Sequence, residues 1–209
     1  MNRRPKINLG IRVGIVCEGS EETEYLEALE KCNIFSSEYN IGLINARGNG
    51  SIFSMYQQAY QTDKFDVIFI LCDTEKYPYE QYEQLKNNID EFHGKENIAK
   101  EIIIYGNPCT MQIVLAHWTD EKLKSAGKGT NAELIQKYTG VVGYKGKAKQ
   151  RAQLYEHITA ANTEVMYERV KNMSNDDTVI GSSNFDILLD YITSEDTNWI
   201  NEINSKLEE

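Results

Sequence analysis

The chain has 209 residues, 41% of them hydrophobic and 26% charged; with only three prolines and fourteen glycines, this composition predicts a folded domain and excludes a largely disordered linker. Its net charge of −10 would argue against nucleic acid as a partner if the charge were spread evenly. The longest apolar run, Val67–Cys72, is too short to span a membrane, and the N-terminus lacks a signal-peptide core. The four cysteines have no CxxC spacing, which indicates reduced thiols. We therefore expect a cytoplasmic protein.

The first half of the chain alternates between strand-like and helix-like segments. Strands are predicted at Arg12–Cys17, Ile41–Ile44, Asp66–Cys72 and Glu101–Tyr105, and helices at Glu21–Lys31, Ser51–Thr62, Tyr79–Phe92 and Pro108–Trp118. The third strand is uniformly apolar, which is typical of a central parallel strand covered on both faces. This alternation predicts an α/β fold with a mainly parallel β-sheet flanked by helices.

From about residue 121 the pattern changes to glycine-rich connectors and helices. The helices are predicted at Asn131–Lys137, Ala148–Asn172, Phe185–Tyr191 and Trp199–Leu207. We therefore expect an α/β domain over residues 8–120 and a helical C-terminal extension over residues 121–209, packed together as one structural unit.

The charge of the chain is unevenly distributed. Residues 121–151, the basic island, carry eight lysines and arginines against two acids, whereas the segments on either side are acidic. Lys145, Lys147, Lys149 and Arg151 lie close together in it. The island is either a solvated loop and helix start or a phosphate-facing patch in a protein that otherwise repels nucleic acid.

Three acids follow predicted strands. Glu18 comes after the first strand, and Asp73 and Glu75 come after the third. Ligands gather beyond the carboxyl ends of parallel strands, and clustered carboxylates there need a cation or protons to relieve their repulsion. Magnesium meets that need with one or two carboxylates, waters and phosphate oxygens. Taken singly, Glu18 also fits a solvated loop acid and Asp73 a strand-ending turn residue.

These residues resemble the Toprim domain of topoisomerases, bacterial primases, recombination proteins and nucleases of the overcoming-lysogenization-defect type. That domain has a glutamate after its first strand and an Asp-x-Asp after a later one. Here Ile15–Gly19 and Ile68–Glu75 are similar to those two segments. Glu75 replaces the second aspartate, which keeps a carboxylate but places it one methylene further out.

The chain also resembles RloB-like proteins, a Toprim-related family found with restriction and abortive-infection loci. Val16–Glu24 is similar to the Val-Cys-Glu-Gly start of that family, with one extra residue before Thr23-Glu24. Asn107–Trp118 is similar to its Asn-Pro-Cys segment running into an apolar helix that ends near His-Trp. Tyr144-Lys145 and Ser183–Phe185 match later elements in part, so the resemblance extends from Arg12 to about Tyr191.

The resemblance implies a Toprim-like fold and a magnesium- or manganese-dependent nuclease that works with a partner ATPase in phage defence, on RNA, including tRNA, or DNA. Glu18, Asp73 and Glu75 are then the catalytic and metal-binding residues. Asp73 and Glu75 would hold the cation, and Glu18 would ligate it or act as general acid or base. Lys145 and Lys147 would neutralise phosphate charge as substrate enters. Asn107 would either bind substrate or cap its helix.

Several alternatives remain. A non-catalytic Toprim-like docking or regulatory subunit of an ATPase complex also fits the acidic surface and the altered Asp-x-Glu. A phosphoacceptor receiver needs paired acids after the first strand, which Glu18 alone does not supply. Acids at the predicted helix start (Glu21, Glu22, Glu24) would extend the metal site, although the helix dipole alone explains them. Gly127–Thr130 indicates a loop rather than a Walker A segment, and His117 a half-buried histidine with its hydrogen bonds satisfied.

Overall fold

The computed structural model describes residues 10–75 and 78–208; residues 8 and 9 of the predicted first domain and Glu209 at the end of the second lie outside these segments. Four strands form one parallel sheet: β1 (Ile11–Cys17), β2 (Tyr39–Asn45), β3 (Val67–Asp73) and β4 (Ile103–Gly106). The helices of the described segments are α1 (Ser20–Lys31), α2 (Ile52–Gln61), α3 (Glu80–His93), α4 (Met111–Leu115), α5 (Ala132–Thr139), α6 (Ala148–Tyr155), α7 (Ala160–Lys171), α8 (Phe185–Thr193) and α9 (Asn198–Glu208). The predicted α/β class is confirmed.

The strand order is β2-β1-β3-β4, so β1 pairs with both β2 and β3. Ile15 on β1 lies opposite Leu43 on one side and Phe69 on the other. The chain moves outward from β1 to β2 and then crosses back to β3, and right-handed crossovers in opposite directions place α1 and α2 on opposite faces. The carboxyl ends of β1 and β3 are therefore neighbours.

Two strand glycines make room for an aromatic ring. Gly14 on β1 and Gly42 on β2 are partners in the sheet, and the side chain of Phe65 lies against both. A Cβ atom built at Gly14 or Gly42 would stand 2.7 or 2.5 Å from the Phe65 ring. The absence of side chains here is a packing requirement of this face of the sheet.

The C-terminal helices share the core of the sheet. Tyr25 on α1 contacts Tyr155 on α6 and Phe185 on α8, with ring centroids 5.9 and 5.8 Å apart. Near α9, the Trp199 indole donates to the Tyr39 hydroxyl at 2.9 Å. One continuous set of buried apolar side chains runs through both predicted regions.

The helix predicted at Pro108–Trp118 is wrong at its start, and only α4 forms. The Asn107–Pro108 peptide is cis, and the backbone N–H of Asn107 donates to the Ser182 carbonyl at 3.0 Å instead of entering a helix. Gly106 pairs with Ser183 in an isolated antiparallel bridge. Contacts with a distant segment thus override the Asn-Pro helix-start signal, and Asn107 does not cap α4.

The long helix predicted at Ala148–Asn172 is two helices, α6 and α7. The Thr159 side chain accepts a hydrogen bond from the backbone N–H of Asn162, while the Asn162 side chain accepts one from the N–H of Thr159. This reciprocal capping starts a new helix at Ala160. The helical period continues across the break, which is why the apolar pattern alone predicted one helix.

The cysteines at positions 17, 32, 72 and 109 are all free thiols, as predicted. Burial raises the pKa of Cys17 to about 12, which keeps it protonated and unreactive at neutral pH. Among the described helices, none is both long and apolar enough to cross a bilayer.

Candidate active site at the carboxyl ends of β1 and β3

Glu18 and Asp73 lie together where β1 and β3 end. The backbone N–H of Asp73 donates to Glu18 Oε2 at 3.0 Å, and the N–H of Glu18 donates to the Leu71 carbonyl at 3.0 Å. The pairing of Cys17 with Leu71 in the parallel ladder fixes this contact. The sequence placed the two acids on one edge on the condition that their strands are neighbours, and the strand order meets that condition.

Thr110 and Glu22 complete the surroundings of Asp73. Thr110 donates to Asp73 Oδ1 through its backbone N–H at 2.7 Å and through its hydroxyl at 2.9 Å. Glu22, in the first turn of α1, is 3% exposed, and its Oε2 accepts the N–H of Gly19 at 2.8 Å. Glu18, Glu22 and Asp73 are called the acid cluster below.

Burial and mutual repulsion hold the acid cluster away from its ordinary ionisation. Burial, opposed by the Asp73 N–H and helped by the charges of Glu22 and Glu75, raises the pKa of Glu18 to about 7. Burial, followed by the charges of Glu22 and Glu18, raises the pKa of Asp73 well above its usual range. Burial likewise raises the pKa of Glu22. A cation placed among these groups would offset the cost of burying their negative charges and would also relieve the repulsion between them.

Glu75, the third predicted ligand, is not packed into the acid cluster. It is exposed, its backbone adopts a left-handed conformation with φ of 61°, and its N–H donates to the Pro108 carbonyl at 2.9 Å. Its charge nevertheless raises the pKa of Glu18. The structure thus brings two of the three predicted acids into contact and leaves Glu75 at the surface nearby.

Two cations of the basic island reach α1. Lys128 pairs with Glu21 Oε2, and the Tyr144 hydroxyl donates to Glu21 Oε1. Arg151 makes a two-pronged contact with Glu24, at 2.8 Å from Nε and 2.6 Å from Nη2. Gly127–Thr130 is a loop, as predicted, and that loop carries Lys128 to the site.

An open cleft of about 440 Å³ lies beside the acid cluster. The acid cluster contributes to it together with Gly19, Ser20 and Glu21, and the remaining lining residues are Asn45, Arg47, Gly48, Lys128 and Arg151. A larger cleft of about 600 Å³ is lined mainly by α7 and by loops following α4 and α7. Only the smaller cleft includes the ends of β1 and β3, where the fold favours ligand binding.

The predicted substrate-binding residues lie elsewhere. Asn107 is fully buried; its amide donates to the Asp177 carbonyl at 2.6 Å, while its Oδ1 atom has no hydrogen-bond partner among the described residues. Lys145 and Lys147 are exposed on the segment before α6, outside the group that lines the cleft in the described part of the chain. Their contact with substrate stays a prediction.

His117 is a buried histidine with both ring nitrogens bonded. Nδ1 lies 3.0 Å from Asn162 Oδ1, which can only accept, so Nδ1 carries the proton. Nε2 then accepts from the Tyr25 hydroxyl at 3.0 Å. Burial lowers the pKa of His117 to about 4, so the ring is neutral and structural at pH 7.

Sequence reasoning did not select Glu22, Thr110, Lys128 or Arg47. Glu22 was explained by the helix dipole, and its place three residues after Gly19 was the signal that it turns back toward the end of β1. Thr110 and Lys128 reach the site through loop geometry that carries no periodic signal. Arg47 lies in the Arg47–Gly50 turn, whose approach to the cleft follows only from the order of the strands.

The donor set fits a hard divalent cation such as magnesium or manganese. Carboxylate oxygens are the ligands such ions prefer, and magnesium commonly binds to one or two carboxylates, with waters and substrate phosphates completing its shell. Within residues 10–75 and 78–208, no group of three or more acid, histidine or cysteine side chains is already arranged as a metal site. The fit therefore rests on the acid cluster as a partial shell.

Searches of protein-family models, curated proteins and solved structures found no match to this chain.

Proposed function

We propose that the protein is a cytoplasmic, magnesium-dependent nuclease of the Toprim type, similar to RloB-like proteins, that hydrolyses phosphodiester bonds of RNA or DNA and acts in phage defence with a partner ATPase. The observation that carries the proposal is the contact between Glu18 and Asp73 at the ends of adjacent parallel strands, in an open cleft and beside the buried Glu22.

Each residue of the site has a role that follows from its surroundings. Asp73 and Glu22 would hold the cation, Glu18 would either ligate it or act as general acid or base, and Glu75 would add charge from the next turn. A bound magnesium ion would neutralise the charge that develops on the phosphate. Thr110 keeps Asp73 oriented because it donates twice to Oδ1.

Glu18 is suited to proton transfer. Its Oε2 atom is held by the Asp73 N–H, and burial raises the pKa of the carboxyl to about 7, where a general acid or base is most effective at neutral pH. The Glu18 carboxyl would take a proton from the attacking water or give one to the leaving oxygen.

Two observations favour the second candidate, a non-catalytic docking or regulatory subunit of an ATPase-containing complex. Lys128 already neutralises Glu21 at the edge of the cleft, and the acid cluster of the described chain is not a finished metal site. A docking module would keep the Toprim shape while its acids stay protonated or paired.

Cleavage under single-turnover conditions tests the proposal. Labelled single-stranded RNA, tRNA and DNA are incubated with excess protein and Mg²⁺, and the wild type is compared with Asp73→Asn. We expect cleavage that EDTA abolishes and that Asp73→Asn slows by at least about 100-fold, the loss typical of a group that stabilises the transition state directly. A folded wild type that neither binds the cation nor cleaves any of these substrates would favour the docking subunit, whose acids stay protonated or paired.

A further inference from the structure

Three positively charged side chains line the cleft, and they differ in whether an acid of the chain is already paired with them. Lys128 is paired with Glu21, and Arg151 is held by Glu24 through both Nε and Nη2. Arg47 is exposed and lines the same cleft, yet within the described chain its guanidinium has no carboxylate or carbonyl partner. Its charge is therefore available to a ligand.

The backbone of Arg47 is fixed although its side chain is free. Its N–H donates to the Asn45 side-chain oxygen at 2.8 Å, and the N–H of Gly48 donates to the Glu18 carbonyl at 2.8 Å. The turn is thus tied to the backbone of Glu18, the residue that follows β1. Because its backbone is held in place, the long side chain of Arg47 starts from a fixed position beside the acid cluster.

Arg47 also holds an unfavourable conformation. Its φ of 62° lies in the left-handed region, which arginine rarely adopts and glycine adopts freely. Such strain persists where the surrounding structure fixes it, and it concentrates at functional sites. A glycine at position 47 would satisfy the turn better, so the turn itself gives no reason for an arginine.

We propose that Arg47 is the residue that binds a phosphate group of the nucleic-acid substrate beside the acid cluster. This inference rests on the proposed nuclease function. The planar guanidinium can donate two parallel hydrogen bonds to one phosphate, which a lysine cannot match. A phosphodiester between Arg47 and a cation at the acid cluster would be neutralised on two sides, in a cleft whose other basic side chains are already paired.

Binding of a short fluorescein-labelled single-stranded RNA, and of DNA of the same sequence, tests this proposal with Ca²⁺ replacing Mg²⁺ to limit cleavage. Arg47→Ala should weaken binding by about tenfold, the effect of one charged hydrogen-bonded contact. It should also reduce the slope of log K against log salt by about 0.7, because one phosphate contact is lost. Arg47→Lys should keep the slope and recover part of the affinity.

Arg12→Ala is the matched control. Arg12 lies at the opposite, amino end of β1 and is paired with Asp66 at 2.6 Å, so the variant removes an equal charge away from the cleft. Arg47→Gly separates binding from folding: it should melt at or above the wild-type Tm while binding as weakly as Arg47→Ala. A fall in Tm for Arg47→Gly would assign Arg47 a structural role and overturn the proposal.

The remaining outcomes separate this inference from the proposed function. Wild-type binding that Arg47→Ala weakens no more than Arg12→Ala would overturn the role of Arg47 and leave the nuclease proposal standing. A wild type that binds neither RNA nor DNA in the presence of the cation would overturn both.

Discussion

Glu22 and Glu27 lie five residues apart on α1, and their surroundings give them different chemistry. Glu27 is exposed, whereas Glu22 is buried beside Thr110 and raises the pKa of both Glu18 and Asp73. The acid cluster therefore destabilises the folded chain when it is ionised and without a counter-ion. A cation bound there, as proposed, would relieve this repulsion and stabilise the folded chain.

Asp73→Asn should stabilise the protein while impairing the site. The substitution removes a buried charge that repels Glu18 and Glu22, yet its side-chain oxygen can still accept both hydrogen bonds from Thr110. We expect the free energy of unfolding at pH 7, without divalent cations, to rise by about 1 kcal/mol, less than the equivalent of one pKa unit. Urea denaturation measures it, and a clear loss of stability would contradict the electrostatic account.

His117 should make stability depend on pH. Its pKa is about 4 in the folded protein against about 6.5 when unfolded, so between these values the unfolded chain binds more protons. The stabilising contribution is fully present above pH 6.5 and is lost as pH falls toward 4, by up to about 3 kcal/mol. Glu18 affects stability in the opposite direction, because its pKa is raised in the folded protein. Its stabilising contribution is present below about pH 4.5 and is lost as pH rises through 7.

Comparing variants isolates the histidine. His117→Gln should flatten the dependence of the unfolding free energy on pH between 6.5 and 4 relative to the wild type, as measured by urea denaturation across that range. His157→Gln, at an exposed position, is the matched control and should follow the wild type. Identical curves for His117→Gln and the wild type would show that the ring is not held neutral.

The residues of the site could be predicted from sequence to different extents. Glu18 and Asp73 were found because each directly follows an apolar strand, and strand ends are fixed by the fold class. Glu22 was weighed as an extension of the metal site but not committed to, because an acid at a helix start has an ordinary explanation. The proposed role of Arg47 could not be found, because it depends on which loops meet at the cleft and on a backbone conformation with no sequence signature.

At the scale of elements, the strands carried the strongest signal. β3 is buried along nearly its whole length and was predicted within one residue at each end. The two segments that failed did so for different reasons: Asn107 bonds to the distant Ser182, whereas Thr159 restarts a helix by local reciprocal capping with Asn162. The apolar period predicts where the chain can be helical, while capping and tertiary hydrogen bonds decide where each helix begins and ends.

Gly14→Ala should disturb the sheet. The new methyl group would stand 2.7 Å from the Phe65 ring, and moving the ring also disturbs its contact with Gly42. We expect a loss of about 1–3 kcal/mol in the free energy of unfolding, the usual range for overpacking. Gly50→Ala is the control, because nothing lies within 4 Å of the added Cβ atom. Equal stability of the two variants in urea denaturation would contradict the packing of Phe65.

At the scale of the whole molecule, the basic island and the C-terminal helices are bound to the sheet through α1. Glu21 and Glu24 on α1 receive Lys128 and Arg151, and Tyr25 on the same helix packs against Tyr155 and Phe185. Part of the positive charge of the basic island is thus paired with acids of the same chain. The cluster of charge in the sequence indicated a charged partner, and for Lys128 and Arg151 that partner is α1 of the chain itself.

This shared core predicts one cooperative unfolding transition. Trp118 follows α4 and Trp199 lies on α9, so tryptophan fluorescence reports on both predicted regions, while far-UV circular dichroism reports on all helices. We expect the urea transitions from the two probes to coincide, because neither region buries its apolar surface alone. Separate transitions would mean that residues 121–209 unfold independently of the sheet.

The central claim is that Glu18, Glu22 and Asp73 form one cation site, and calorimetric titration with Mn²⁺ or Mg²⁺ tests it most directly. The wild type should bind the cation, Asp73→Asn and Glu22→Gln should each weaken binding by at least about tenfold, and Glu27→Gln, an exposed position on the same helix, should bind as the wild type does. No binding by the folded wild type at millimolar cation, with and without RNA or DNA to supply phosphate ligands, would contradict the account, as would equal affinity in all four proteins.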